Sequence, residues 1–171
     1  QLLDVGLVPD TADMSDLLFS FCQQDNKDAV HWLCRHGGHL FCCDNHGQSV
    51  YSRLLQTRQN PSAFINTFMA DGQSISGSGT LAMYLEFCLN HDFSRRADEQ
   101  LAMQLLQQGA DAFGASIEGS PPLHLCVRLG WQRLGQTLLA LGTDPNAVDV
   151  AGLTALHYAA QLGRVVLLKE L

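Results

Sequence analysis

Apolar residues recur along the chain at helical spacing, in short runs that polar or glycine-containing turns cut apart. Residues 1–12, with Gly6 and Pro9, read as an extended lead-in. Leu17, Leu18, Phe19, Phe21 and Cys22 supply the first apolar face, and Ser15 stands where a helix cap belongs. Asp25-Asn26 breaks that helix. A second helix over 27–35 carries Ala29, Val30, Leu33 and Cys34. It ends at His36-Gly37-Gly38, where glycine supplies a left-handed cap.

The order of turn, helix, helix then repeats. Asp44-Asn45-His46-Gly47 is a turn, and 49–56 reads as a short helix. Pro61 suits the first turn of the next helix, which runs to Ala70 with Phe64, Ile65, Phe68 and Met69 inward. Gly77-Ser78-Gly79 opens a third unit with helices over 81–90 and 98–108, separated by an insertion at 91–97. A fourth opens at Gly119, with helices over 121–129 and 132–141. A fifth opens at Asp149, with helices over 154–162 and from Arg164 onward. Turn glycines at 47, 79, 119 and 152 are 32, 40 and 33 residues apart, and closing glycines at 37, 72, 109 and 142 are 35, 37 and 33 apart. A plain helical bundle has no reason to keep such a period.

Two units share a text. Thr154-Ala155-Leu156-His157-Tyr158-Ala159-Ala160-Gln161-Leu162-Gly163 matches Pro121-Pro122-Leu123-His124-Leu125-Cys126-Val127-Arg128-Leu129-Gly130 position for position in its Leu-His and Gly. Gly109-Ala110-Asp111 and Gly142-Thr143-Asp144-Pro145-Asn146-Ala147 precede the corresponding turns. This pattern closely resembles the ankyrin repeat, whose period is about 33 residues. The resemblance fades toward the N-terminus, where the spacing survives and the histidine does not. It implies an all-α solenoid of about five helix-pair units with finger-like turns. The units are 13–43 (degenerate), 44–76, 77–115 with the insertion 91–97, 116–148, and 149–171 (truncated). A single repeat cannot bury its apolar face alone, so neighbours stack. That accounts for the small Ala159, Ala160 and Cys126 on the inner helices, and for Leu138, Leu139, Val165, Val166 and Leu168 as the outer contact. Pro122 costs nothing in a first helical turn. His124 and His157 are expected to bond turn groups and tie repeats together.

Composition narrows the function. Hydrophobic residues are 46% and charged residues 16%, so the chain folds. The net charge is −7 with only ten basic residues, which argues against a nucleic-acid partner. No apolar run approaches the ~20 residues that span a membrane, so no membrane insertion is expected. Six cysteines, several within apolar helical patterns, point to a reducing intracellular compartment, cytoplasmic or nuclear. The chain runs from Gln1 to Leu171 and stops within an apolar pattern, which suggests a piece of a larger protein.

Candidate chemistry is sparse. His31, Cys34, His36, His39, Cys42, Cys43 and His46 form a dense His/Cys run, but no Cys-x-x-Cys spacing occurs and Cys42-Cys43 are adjacent. Cys126 lies two residues from His124, a spacing that points the two side chains apart on a helix. Gly77-Ser78-Gly79 lacks the Gly-Lys-Ser/Thr of a nucleotide loop. No catalytic residue, metal or cofactor is therefore assigned.

The resemblance implies that a partner protein binds the concave surface of fingers and inner helices. It places Phe41, Asn45, His46, Gln48, Ile75, Phe113, Ile117, Glu118, Ser120, Arg128, Leu129, Val150, Ala151, Leu153, Gln161 and Leu162 there. Apolar residues at finger positions suggest a hydrophobic contact strip or packing between fingers. Phe93, Arg95 and Arg96 in the insertion are a second contact candidate. The expectation is a non-enzymatic protein-interaction module. The alternatives are the targeting region of a multidomain enzyme, such as a bacterial effector delivered into host cells, and a zinc-binding domain built on the His/Cys run.

Overall fold

The computed structural model describes residues 10–46, 48–56, 62–70, 77–91, 96–169 and 171. They form α1 (Thr11–Gln23), α2 (Lys27–Arg35), α3 (Val50–Gln56), α4 (Ser62–Ala70), α5 (Thr80–Asn90), α6 (Arg96–Gln107), α7 (Pro122–Leu129), α8 (Gln132–Ala140), α9 (Ala155–Gln161) and α10 (Val165–Leu168). The fold is all-α. Two isolated bridges, Cys43 with Ser49 and Val148 with Thr154, are the β pairings found among the described residues. The chain divides into two compact units, Gln1–Ser74 and Ile75–Leu171.

Packing within each unit follows the order of the chain. In the first, α1 packs on α2, then α1 on α3 and α2 on α4. In the second, α5–α6, α7–α8 and α9–α10 are hairpin pairs. Inner helices stack as α5 on α7 on α9, and outer helices as α6 on α8 on α10. In the second unit each helix thus packs on its hairpin partner and on the helix two places away, the nearest-neighbour arrangement of a repeat stack.

Caps set the helix ends. α1 begins four residues before Ser15, because Asp10 is its cap and accepts the Asp13 N–H at 2.8 Å. Ser15 lies inside α1, fully buried. α2 falls where its caps predict: Asn26 accepts from Ala29 N at 3.1 Å, and Gly37 follows with φ +98°. α6 starts at Arg96, two residues earlier than the apolar pattern indicates, so Arg96 and Ala97 belong to a helix and not to the insertion. Pro122 occupies the first turn of α7, and Gly130 closes it at φ +76°.

The second unit's core follows from thin positions. Gly135 on α8 admits α10: a Cβ there would stand 2.9 Å from Leu167 Cδ2. Leu167 is therefore an inward residue of α10, while Val165 and Val166, expected inward, are exposed, and the side chain of Leu168 lies outside the described residues. Ala159 and Cys126 are fully buried on the inner helices, and Ala160 faces out. Glu99 on α6 accepts the Arg133 and Leu134 N–H groups at 3.1 and 3.2 Å, satisfying orphan donors at the start of α8 in the next repeat.

Candidate functional site

The turns before the inner helices are built by one device. Asp149 Oδ1 accepts the Ala151 and Leu153 N–H groups at 2.9 and 3.0 Å, while its own N–H donates to the Leu153 carbonyl at 3.0 Å. Asp44 does the same within the first unit, accepting from His46 and Gln48 at 2.8 and 2.9 Å and donating to the Gln48 carbonyl. In both, the bridge sits one residue before the aspartate and five after it. Ser116 makes a weaker version, its hydroxyl accepting from Ser120 N at 3.2 Å. The preceding loops carry smaller copies: Asp111 accepts from Phe113 N, and Asp144 from Asn146 N, each at 2.9 Å. A short polar side chain that holds its own backbone makes a rigid finger without a strand ladder.

These bonds keep the carboxyls of Asp44, Asp111 and Asp149 below their usual range. The Gln48 N–H leads in keeping the Asp44 carboxyl below the usual range. For Asp149 the leading cause is the Tyr158 hydroxyl, which donates at 2.7 Å. At Asp111 burial opposes ionisation, and the N–H groups of Gly79, Phe113 and Gly114 outweigh it. Burial pushes the Glu86 carboxyl up, and the charge of Glu118 adds to that. The Ser116 hydroxyl donates to it at 2.6 Å.

Neighbouring repeats are laced together along the inner face. His124 Nε2 lies 2.9 Å from the Leu153 carbonyl of the next finger. Arg128 sits over the Tyr158 ring, 5.5 Å from its centroid. Arg164 bonds the Arg128 carbonyl at 3.4 Å and covers Gly130. His157 serves its own turn, accepting the Thr154 N–H at 3.1 Å through Nδ1. One signature histidine thus joins two repeats and the other caps one helix.

The expected contact residues divide sharply. Phe113, Ile117 and Val150 stand out at 64, 76 and 83% exposure on successive loops of the second unit. Val150 leans on the adjoining finger, its Cγ1 2.6 Å from where a Cβ on Gly119 would lie. Glu118, Ala151, Gln161 and Leu162 are exposed, and Arg128 and Leu153 half-buried. Ser120 and Leu129 are buried. Ser120 closes the ladder at the base of its finger, and Leu129 lies on α7, against which α9 packs. In the first unit Asn45, His46 and Gln48 are exposed, while Phe41 is half-buried against Tyr51 with centroids 5.9 Å apart. Arg96 is exposed at the start of α6. Ile75, Phe93 and Arg95 lie outside the described residues. Val148, 56% exposed, extends the strip and went unread in the sequence, where it alternates with Val150. Tyr158 had no sequence signal, since its role depends on reaching back nine residues to Asp149.

The His/Cys run is spread over α2 and the loop after it. Cys42 is buried and accepts from His39 N at 3.4 Å, while the exposed Cys43 donates to the Phe41 carbonyl. His36 stacks on Trp32. Among the described residues no group of three or more His, Cys, Asp or Glu side chains is placed to hold a metal ion. Cys126 donates to the Trp131 carbonyl at 2.8 Å, and burial pushes its thiol far above the ordinary range. It is a core residue and not an activated nucleophile. Among the described residues no helix is long and apolar enough to cross a membrane.

Comparison with known proteins agrees with this geometry. A family model described as ankyrin repeats (3 copies) matches residues 91–171. The chain is 33% identical over 82 residues to the human ARF GTPase-activating protein GIT1, covering 47% of this chain and 11% of that protein. It is 33% identical over 94 residues to the Arabidopsis thaliana ADP-ribosylation factor GTPase-activating protein AGD2, covering 54% of this chain and 12% of that one. It is 38% identical over 80 residues to Danio rerio neurogenic locus notch homolog protein 1, covering 43% and 3%. The chain therefore spans only a small part of each of these relatives.

Proposed function

Residues 91–171 carry ankyrin repeats, a protein-interaction module, and from that premise we propose that the second unit binds a partner protein through its fingers. The observation that carries the reading is the apolar strip of Phe113, Ile117, Val148 and Val150. These side chains are more than half exposed on loops whose backbone is pinned by Asp111, Ser116 and Asp149. Exposed apolar groups on a preorganised frame bind without a large ordering cost. The half-buried Glu86, with Glu118 beside it, adds a negative rim.

In this reading the chain itself has no catalytic role and works inside the cell as the recruiting region of a larger protein. The GTPase-activating relatives, in which the matched stretch is about a tenth of the length, support that setting. The bacterial-effector version draws no support from the relatives named here, which are animal and plant proteins. The test is capture of partners from a cell extract by the wild type and by a Phe113→Ser, Ile117→Ser, Val150→Ser triple variant, with circular dichroism to verify folding. Loss of specific partners in the folded variant supports the strip. Unchanged capture rules it out.

A further inference from the structure

The finger loops of the second unit carry charge of one sign. Residues 108–121 and 141–154 include the acidic Asp111, Glu118, Asp144 and Asp149 and no Lys or Arg. Three of these serve the fold, since Asp111, Asp144 and Asp149 accept N–H groups of their own loops. Glu118 does not: it is exposed and forms no ion pair among the described residues. Glu86, half-buried on the inner helix α5, lies within electrostatic reach of it. Burial raises the Glu86 carboxyl, and the charge of Glu118 raises it further. Arg128 acts the other way, but its guanidinium stands over the Tyr158 ring and pairs with neither carboxylate. The two acids therefore leave a negative charge that the fold does not match. Ile117, at 76% exposure, lies in the chain between Ser116, which bonds Glu86, and Glu118.

Resting on the finger strip proposed above, we propose that the partner is a protein segment carrying a Lys or Arg beside apolar side chains. Its cation sits on Glu86 and Glu118, and its apolar groups lie on Phe113 and Ile117. Charge complementarity chooses this occupant. An anionic segment would meet only acids on these loops. A wholly apolar one would bury Glu86 further without a counter-charge, which is costly. A cationic side chain pairs with both carboxylates and relieves their mutual repulsion. A bare metal ion finds too few ligands, because no three acidic, His or Cys groups converge among the described residues.

The probe is a phage-displayed library of random peptides selected on the chain. The selected peptides are synthesised, and their Kd is measured on the wild type and on three variants. These are the Phe113→Ser, Ile117→Ser, Val150→Ser triple variant, a Glu86→Gln, Glu118→Gln double variant, and an Asp13→Asn, Asp28→Asn control. Glutamine keeps the size of Glu86 and an oxygen for the Ser116 hydroxyl, and circular dichroism verifies folding. The control removes as much charge from exposed positions of the first unit. Peptides that lose binding to the triple variant should contain Lys or Arg beside apolar residues. They should bind the Glu86→Gln, Glu118→Gln variant roughly tenfold more weakly, and the control as well as the wild type. Strip-dependent peptides without a basic residue, or equal Kd values on the two double variants, overturn the proposal and leave the finger strip standing. If no selected peptide depends on the strip, the strip fails and the proposal falls with it.

Discussion

The two signature histidines occupy the same place in the repeat and should differ in what their loss costs. His124 is 1% exposed, bonds the Leu153 carbonyl at 2.9 Å, and stands edge-on to Tyr158 with centroids 6.0 Å apart. His124→Ala leaves that carbonyl without its donor, at about 1–3 kcal/mol. It also forfeits the ring contact, at about 0.5–1.5 kcal/mol. Against this, His124 Nδ1 is buried without a partner among the described residues, so its removal returns about 1 kcal/mol. The net loss is about 2 kcal/mol on these magnitudes. His157 is exposed and bonds only Thr154 in its own turn, so His157→Ala costs a helix cap, about 0.5–1 kcal/mol. Urea unfolding of both variants, compared at unchanged m, measures the difference. Hydrogen exchange locates it: His124→Ala should release the α9 amides although the substitution lies on α7. Equal costs, or a costlier His157→Ala, would refute the claim that His124 joins two repeats.

Two further outcomes follow from the polar groups. The folded Asp149 carboxyl titrates below its unfolded value, so its contribution is complete above about pH 4 and is lost as the pH falls through the folded value. Tyr158→Phe removes the leading cause and should move the Asp149 titration upward by NMR; an unmoved titration contradicts the bond. Ser15 is fully buried in α1 and its hydroxyl has no partner among the described residues, so Ser15→Ala should stabilise by about 1 kcal/mol and raise the urea midpoint. A lowered midpoint would mean that the hydroxyl has a partner after all.

The repeat was legible in the sequence because its punctuation is chemical. Asn26, Gly37, Gly130 and Thr154 are caps, and caps are local. The start of α1 was misread because Asp10 and Ser15 are both good caps, and only the carboxylate that reaches Asp13 N is used. The inward side of α10 was misread because four residues give no periodicity from which to choose a face. The surface was less legible than the fold. Ser120 and Leu129 share finger and helix-end positions with exposed residues, and their burial comes from a ladder bond and from the next repeat. Phe41 looks like Phe113 in sequence. Tyr51 lies beside the first, while the second stays in water.

The most direct test of the account is photo-crosslinking from single positions in the cell. A photoreactive residue at Ile117, on the finger strip, should join a partner protein covalently in high yield. The same residue at Gln132, exposed on the outer helix α8, should yield only background. Efficient crosslinking from Gln132 with none from Ile117 would contradict the assignment of the fingers as the binding surface.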